Sequence, residues 1–497
     1  MRMYFRGKSV VRLLSCWFVL SVTLIIGGTS AANAAENEVT GAAKAGKTVD
    51  SATPAIGKPK FDFGLSAGFS VISLRDTHFG LGQLDVTYFP KDISRTELYL
   101  APRANMVWEI PESGTLYGGL RGVGSFTNGD GDSWGLTAGE HYYYEKNAPP
   151  ALVGESMQHI DIDSAYLGWK SGKEISLLDQ DGLDISFGRQ NFQLGDGMVL
   201  IDGNDEANQH KGIYWLDPRQ AWKLTGLVRI KKEPYNIELF SLLTDKDAYS
   251  DLIAGGNFEL VDKKLGKVGI SYFNIVDSDL ASRDGMSVYG LHARGNPVPS
   301  LPILELGGEI DLQKNSSPDL EAYAYFLEAK LFIPFLPWYP TIGYRYSSFS
   351  GDKNSTDKNE GWDYLHNGST SSGFGYWYQG IVVGTYETRL TNLNTHFVNL
   401  TIVPPIKGSW AKILYYDHRF ADKSTAKIDG SEVSSNRFAT EWDVVLGFSP
   451  TKKVDYMLIY GDATPGQGGK DRYSFPAPAS SSNKNASLLQ FTVMVHF

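Results

Sequence analysis

The chain has 497 residues, a formal net charge of -10, 53 glycines and 13% aromatic residues. This length is compatible with two or three ordinary domains or with one large closed sheet, and a mean hydropathy of -0.23 is too polar for a helical membrane protein. The acidic balance also argues against general nucleic-acid binding, which requires a basic surface.

The first 34 residues are typical of an export signal. Four basic residues precede an apolar run over residues 13–26, and Ala32-Asn33-Ala34 is a small-x-small cleavage site. The apolar run is shorter than the roughly 20 residues that a membrane-spanning helix needs, and Cys16 lacks the apolar stretch that precedes a lipoprotein site. We therefore predict removal of residues 1–34, which takes away the single cysteine and changes the net charge to -14, because four positive and no negative charges leave. A mature chain without cysteine excludes disulfides, thiolate metal sites and cysteine nucleophiles.

Residues 35–60 are rich in Ala, Gly, Lys and Pro and lack periodicity, which predicts a flexible periplasmic tail. From Phe61 onward, apolar residues recur at every second position, so that each segment has one apolar and one polar face. This pattern is typical of half-buried strands. The clearest examples are residues 61–69, 97–108, 304–312, 441–448, 454–460 and 489–497.

Short and long connections alternate along residues 61–497. Short turns are predicted near residues 109–114, 232–234, 262–266, 296–301, 404–408 and 449–453, and long polar loops near 127–156, 191–211, 350–392, 421–436 and 462–486. A transmembrane β-barrel keeps its short turns on the periplasmic side and its long loops outside. We therefore predict an all-β outer-membrane barrel of about 18 antiparallel strands, closed by pairing of the last strand with the first.

Two stretches depart from the alternation. Leu331–Pro340 is apolar throughout and contains three prolines, which end a strand; Trp338 and Tyr339 favour a turn at the membrane interface. Between Ile162 and Ala165 the apolar parity switches, which predicts a β-bulge.

One segment resembles a known family. "FGRQNFQLGDGMVLIDGND", from Phe187 to Asp205, is similar to the G-R-Q and G-D-G segment of the alginate export family, and "EGWDYL" at residues 360–365 and "LTNLNTHFVNLTIVP" at 390–404 resemble its late loop and return strand. The resemblance implies an outer-membrane barrel that exports an acidic polysaccharide, with a periplasmic polysaccharide synthesis or secretion complex as a partner.

The residues of this segment also have a physical interpretation. Gly188, Gly195 and Gly197 allow sharp turns and close folding of a loop. The planar guanidinium of Arg189 is suited to binding a carboxylate of a solute. The alternative role for Arg189 is that of a rim residue paired with an acid of a loop. The terminal aromatic residue, Phe497, resembles the signal read by the outer-membrane assembly machinery, so we expect that machinery, outer-membrane lipid and lipopolysaccharide as partners.

A barrel of this size encloses an aqueous channel unless loops fold into it. Parity and the motif above give candidate pore-lining cations at Arg103, Arg121, Arg189, Lys223, Arg229, Lys267, Arg294, Arg345 and Arg437. Parity also directs acids inward, at Asp62, Glu97, Asp184, Glu238, Glu305, Glu309, Asp311, Glu328, Glu441, Asp443 and Asp455. A ladder of arginines suits an anionic solute, whereas mutual pairing of these charges would leave the channel open to neutral or cationic solutes.

Catalysis and metal binding have little support in the sequence. His159, Asp161, His210 and His418 fall in or near external loops, but no nucleophile is fixed beside a base. Residues 128–135, "NGDGDSWG", lack the full ligand spacing of a calcium loop. We predict no catalytic residue, no metal and no cofactor.

The sequence thus predicts a passive outer-membrane channel for an anionic, alginate-like polysaccharide. The alternatives are a general or nutrient-specific porin for small solutes and, with less support, a barrel hydrolase. Neutral replacement of Arg294 or Arg345 is expected to lower anion preference.

Overall fold

A computed structural model describes residues 57–80, 92–111, 113–129, 157–173, 175, 177–204, 215–216, 218–245, 250–317, 319–367, 379–388, 390–427, 430–473 and 484–497. The predicted export signal, most of the predicted tail, residues 130–135 of the calcium-like segment and His210 lie outside this range.

The chain folds as one sheet of 18 antiparallel strands, as predicted. The strands are β1 Lys60–Arg75, β2 Ile93–Ile110, β3 Gly114–Gly129, β4 Met157–Lys170, β5 Leu183–Gln190, β6 Trp222–Lys232, β7 Tyr235–Leu243, β8 Asp251–Asp262, β9 Gly266–Ser278, β10 Ser287–Gly295, β11 Leu304–Ser316, β12 Asp319–Phe332, β13 Thr341–Phe349, β14 Leu393–Ile402, β15 Ser409–Phe420, β16 Arg437–Thr451, β17 Val454–Pro465 and β18 Ala486–His496. Within the described ranges the helical pieces are a 3-10 turn at Thr77–Gly80, a π-helical turn at Val383–Glu387 and α1 at Gln467–Arg472. No helix in the described part of the chain is long and apolar enough to cross a membrane.

The sheet closes on itself through its first and last strands. β1 pairs with β2 on one side and with β18 on the other, in a register that places Ser66 opposite His496 and Ser70 opposite Thr492. Closure gives every edge strand a partner, which a barrel needs in lipid. The expectation that the last strand would complete the barrel is confirmed.

The two faces of the wall differ in polarity. Outward positions are occupied by large apolar side chains that remain exposed, such as Phe63 (73%), Leu167 (66%) and Leu327 (63%). Inward positions on the same strands are buried or polar, because the side chains of a strand alternate between its faces. An apolar outer surface around a closed sheet fits a lipid environment.

The long loops predicted near residues 127–156, 191–211, 350–392, 421–436 and 462–486 all lie at one end of the strands. The alternation in length is not strict, because one connection at that end is only residues 317–318 and one at the other end spans residues 171–182. Loops 1–9 are residues 76–92, 130–156, 191–221, 244–250, 279–286, 317–318, 350–392, 421–436 and 466–485. Turns 1–8, on the side where β1 begins and β18 ends, are residues 111–113, 171–182, 233–234, 263–265, 296–303, 333–340, 403–408 and 452–453. The short turns mark the periplasmic side of the barrel.

Both irregular stretches behave as the sequence indicated. Arg121 pairs with Ser164 and Gly122 pairs with Ile162, so Asp163 is the extra residue of a bulge. β12 ends at Phe332, just inside the three-proline run, and residues 333–340 form turn 6. The bulge is important for the lumen, because it turns the carboxylate of Asp163 inward, where it is buried.

Candidate functional site: the barrel lumen

The first part of loop 3 crosses the lumen. Loop 3 leaves β5, but Asp196 in its first part bonds to Arg294 on β10 (2.6 Å), and the Asp196 N–H lies 3.4 Å from a carboxylate oxygen of Glu309 on β11. In a closed barrel these strands are reached only through the interior. Gly195, with φ +55°, packs so tightly here that an added Cβ would lie 3.1 Å from the Glu309 carboxylate.

The returning part of loop 3 is held by two acids of the wall. Glu97 on β2 accepts hydrogen bonds from the N–H groups of Trp215 and Leu216, both at 3.0 Å. Asp163 accepts one from the N–H of Gln220 (3.2 Å). Glu97 and Asp163 are themselves buried. These hydrogen bonds therefore give partners both to the buried carboxylates of the wall and to the backbone N–H groups of the loop.

Loop 7 is held on β16 by a second pair of acids. Glu441 accepts hydrogen bonds from the N–H groups of Val382 and Val383, each at 2.7 Å, and Asp443 accepts one from Ile381 (3.2 Å). Gly380 precedes them with φ +93°, and an added Cβ there would lie 2.3 Å from Glu441. We call residues 379–387 with Glu441 and Asp443 the loop 7 seat.

From this seat loop 7 reaches β2, which is four strands away from β16 around the barrel. The hydroxyl of Tyr386 accepts a hydrogen bond from Arg95 on β2 (3.0 Å). Glu387 accepts one from the backbone N–H of His78 in loop 1 (2.9 Å). Loop 7 therefore connects the wall at β16 with the wall at β2.

Burial changes the protonation of the two ionisable groups at this end of loop 7. It raises the pKa of Glu387 to about 8, with opposing contributions from its bond to the His78 backbone, from Tyr473 and from Arg472. Burial, reinforced by the positive charge of Arg472, lowers the pKa of His78 to about 4. Both groups are therefore mainly uncharged near neutral pH.

Loops 3 and 7 also bind each other. The carbonyl of His366 accepts hydrogen bonds from the N–H groups of Ile201 (2.9 Å) and Asp202 (3.1 Å). The His366 ring lies 2.9 Å from Asp251, which also pairs with Arg283 of loop 5 (2.9 Å). Together the two loops form a brace inside the barrel, packed on buried apolar residues that include Leu200 and Leu365.

Below this brace the lumen opens into a cavity of about 1690 Å³ on the periplasmic side. It runs from turn 1 at the rim up to Pro218 and Gln220 of loop 3. The charged side chains that line it are seven cations, Lys58, Lys60, Arg103, Arg121, Lys170, Lys173 and Arg229, and four acids, Glu109, Asp163, Asp181 and Asp184. We call this space the vestibule, and its side chains carry an excess of positive charge.

Three of the nine predicted pore-lining cations lie in the vestibule. Arg103 is half exposed (52%) with Asp62 at 3.5 Å, Arg121 bonds to Asp163 (2.7 Å), and Arg229 bonds to Glu238 (2.7 Å).

The other predicted cations are distributed around the wall. Arg189 and Lys223 share Asp245, Lys267 pairs with Glu259, and Arg294 pairs with Asp196, Glu305 and Glu328. Arg345 faces inward but is 1% exposed, stacked over Phe397 at 5.0 Å. Arg437 departs from the parity prediction: it is exposed at the external end of β16, next to an irregular pairing with β15, while Phe438 is buried.

Sequence reasoning listed the inward acids but missed their role. Glu97, Glu309, Glu441 and Asp443 bind backbone N–H groups of loops 3 and 7. A signal was present in the sequence, because several inward acids had no cation at a neighbouring inward position of the same strand. Such acids need other donors when they are buried.

The histidines considered for catalysis lie in ordinary surroundings. His159 lies 3.7 Å from Asp161. His418 is fully buried with its Nδ1 3.0 Å from the Thr395 hydroxyl, so neither group meets solvent. The described residues contain no group of three His, Cys, Asp or Glu side chains suited to a metal ion.

Several solved structures resemble the fold. OccK9 (OpdG) of Pseudomonas aeruginosa matches with a TM-score of 0.50 and 13% identity, over 88% of this chain and 98% of that one. OccAB4 of Acinetobacter baumannii matches at 0.48 and 12%, over 90% and 100%. The outer membrane protein OpdK of Pseudomonas aeruginosa, also crystallised with vanillate, matches at 0.47 and 12%, over 88% and 98%. No family model and no curated protein sequence matches the chain.

The likeness to OccK9 supports the fold and, at this identity, nothing about the solute. A closed antiparallel barrel with an apolar outer surface is the architecture of Gram-negative outer-membrane proteins, and this chain is an outer-membrane barrel. The resemblance to the alginate export family stays a prediction, since no family model supports it.

Proposed function

We propose that the protein is an outer-membrane channel for small polar solutes and that it favours anions. The observation that supports this most directly is the vestibule, where seven cationic side chains face four acidic ones below a brace of inward-folded loops. An excess of positive charge in a confined space with low-dielectric walls raises the local concentration of anions.

The brace favours small solutes over a polysaccharide. Loops 3 and 7 run through the lumen and are bonded to the wall at Glu97, Glu309 and Glu441. A polymer would have to pass these bonded segments along its whole length, whereas a small solute needs only a narrow path beside them. The proposal therefore follows the porin alternative rather than the polyuronate exporter.

Arg103 is the residue best placed to contact a solute. Its side chain is 52% exposed in the vestibule, and its acid neighbour Asp62 is itself 67% exposed and 3.5 Å away. Exposed pairs at that distance bind weakly, so an arriving carboxylate or phosphate competes readily for the guanidinium. The sequence analysis chose Arg294 and Arg345 for neutral replacement. In the structure Arg294 is paired with three carboxylates, and Arg345 is buried against Phe397.

The proposed mechanism is passive. An anion entering the vestibule exchanges part of its hydration shell for guanidinium and ammonium groups. Arg103 and then Arg121, next to loop 3, give it successive contacts along the cavity. Because these contacts are mainly electrostatic, the anion preference should weaken as ionic strength rises.

The test is reversal potential under a salt gradient in planar bilayers. We expect anion selectivity for the unaltered protein and a shift toward cations for Arg103→Gln. Arg437→Gln is the matched control, because it removes the same charge at the external end of β16, outside the vestibule lining. Cation selectivity of the unaltered protein, or equal shifts for both variants, would contradict the proposal. Block by long oligouronates but not by small anions would instead favour the polyuronate exporter.

A further inference from the structure

An exposed apolar surface lies on one sector of the periplasmic rim. It is built from turns 6 and 7, which connect β12 to β13 and β14 to β15. Its large side chains are Phe335 (76% exposed), Leu336, Trp338, Tyr339, Val403 and Ile406. A cluster of this kind is costly in water and usually marks an interaction surface.

The two turns form one unit with turn 5. The N–H of Val403 donates to the carbonyl of Trp338 (2.7 Å), which joins turn 7 to turn 6. The N–H of Phe332 donates to the carbonyl of Ile303 (2.8 Å), which joins the start of turn 6 to turn 5. The apolar side chains are therefore held in a fixed arrangement, and we call turns 5 to 7 the apolar sector.

Turns 3, 4 and 8 are mainly charged, whereas the apolar sector has one exposed charge in turns 6 and 7, Lys407. Lys263 of turn 4 pairs with Glu233 of turn 3 (2.7 Å), and turn 8 consists of Lys452 and Lys453. The apolar character is thus a property of this sector and not of periplasmic turns in general.

The lipid-facing residues of the wall directly above the apolar sector indicate which partner covers this sector. On β13 the outward residues are Ile342, Tyr344 and Tyr346, and the Tyr344 hydroxyl bonds to His396 on β14 (2.9 Å). Above Tyr346 the next outward position, Ser348, is polar. From Thr341 to Tyr346 the wall rises only about 13 Å, at about 3.3 Å per residue and a tilt of about 40°.

A lipid-facing apolar band is about 25 Å tall, so β13 alone leaves it incomplete. The missing apolar surface continues downward without a break into turn 6. Continuity with the lipid-facing wall is the main reason to assign lipid, rather than a protein, to the apolar sector.

The backbone of turn 6 supports the same assignment. Pro334, Pro337 and Pro340 have no N–H to leave unsatisfied. The N–H groups of Ile333 and Tyr339 bond within the turn, to Pro340 (2.9 Å) and Leu336 (3.2 Å). A segment with few free N–H groups loses little when water is scarce.

We propose that the apolar sector inserts into the inner leaflet of the outer membrane and binds phospholipid there, as the lower edge of the apolar band around β12 to β15. The band is then displaced toward the periplasm on this sector compared with the sectors whose turns are charged. This proposal is independent of which solute the channel passes.

The test uses spin labels in proteoliposomes made of phospholipid. The only cysteine, Cys16, leaves with the leader or is replaced by Ser. A single cysteine for the label is then introduced by Phe335→Cys or Ile406→Cys. Lys263→Cys in the charged turn 4 is the matched control. The accessibilities of each label to oxygen, which concentrates in lipid, and to a water-soluble nickel chelate are then compared.

We expect high oxygen and low nickel accessibility at positions 335 and 406, and the reverse at 263. High nickel accessibility at 335 and 406 would overturn the proposal, because the surface would then be open to water or to a periplasmic protein absent from the liposomes. Low accessibility to both reagents would also overturn it, in favour of contact with a second copy of the chain. Heat-modified mobility on gels shows that each variant has folded.

Discussion

Replacement of Glu441 by Gln tests whether the loop 7 seat sets the width of the channel. Both oxygens of Glu441 accept backbone N–H groups, from Val382 and Val383, at 2.7 Å. Glutamine has nearly the same shape but offers one oxygen and one NH₂ group. One backbone N–H of loop 7 would then face another donor in a fully buried place.

The expected weakening of the seat follows from these contacts. A hydrogen bond to an ionised group contributes about 1.5–3 kcal/mol, and a buried N–H left without a partner costs about 1–3 kcal/mol. A combined loss of about 3 kcal/mol would shift the balance between seated and released loop by roughly a hundredfold. Because Tyr386 and Glu387 hold the far end of the segment, we expect frequent release rather than permanent loss of the loop.

Single-channel conductance and liposome swelling with sugars of increasing size measure this release. Glu441→Gln should show larger or flickering conductance and admit larger sugars. Asp455→Asn is the control, since it also removes an acid from the inner face but lies beside turn 8, away from loop 7. Unchanged conductance and size limit in a folded Glu441→Gln protein would refute the view that the seated loop narrows the channel.

Three further outcomes are expected. Gly380→Ala should open the channel like Glu441→Gln, since its Cβ would lie 2.3 Å from that carboxylate, at a backbone angle of +93° that disfavours alanine; swelling assays measure this. Asp163→Asn should make loop 3 more sensitive to protease and lower the thermal stability of the barrel, because it weakens the bond to Arg121 and the hold on Gln220; equal cleavage rates would contradict this. The docking of loop 7 should weaken as pH rises from 4.5 toward 8, because buried Glu387 keeps its proton up to a pKa of about 8 whereas a released Glu loses it near 4.5. The docking of loop 7 should also weaken as pH falls from 6.5 toward 4, since a released His78 is protonated below pH 6.5 whereas the buried ring stays neutral down to its pKa of about 4. Gating recorded across pH 4–9 checks both limbs, and Glu387→Gln should remove only the alkaline one.

The barrel was predictable because its rules are local. Alternation reports which face of a strand meets lipid, and loop length reports which end of a strand is external. The same logic located the bulge at Asp163 and the turn after Phe332, where the pattern broke visibly. Each of these features needs only neighbouring residues in the sequence.

The inner loops could not be predicted in that way. The contacts of Asp196 with Arg294, and of Val382 with Glu441, join residues about 60 to 100 positions apart through the interior. Parity states that an acid faces inward, but not whether it meets solvent, a cation or a backbone N–H. Glu97, Glu309 and Glu441 therefore counted as lumen charge, although they are buried under loops.

This distinction changes how the selectivity of the lumen should be judged. An acid that accepts two backbone N–H groups, as Glu441 does, is surrounded by positive dipole ends and is shielded from a passing ion. A half-exposed guanidinium such as that of Arg103 is not shielded from a passing ion in this way. The charge that a solute meets is then set by exposure along its path and not by the sum over inward positions, so an acidic protein with many inward acids can still present an anion-selective vestibule.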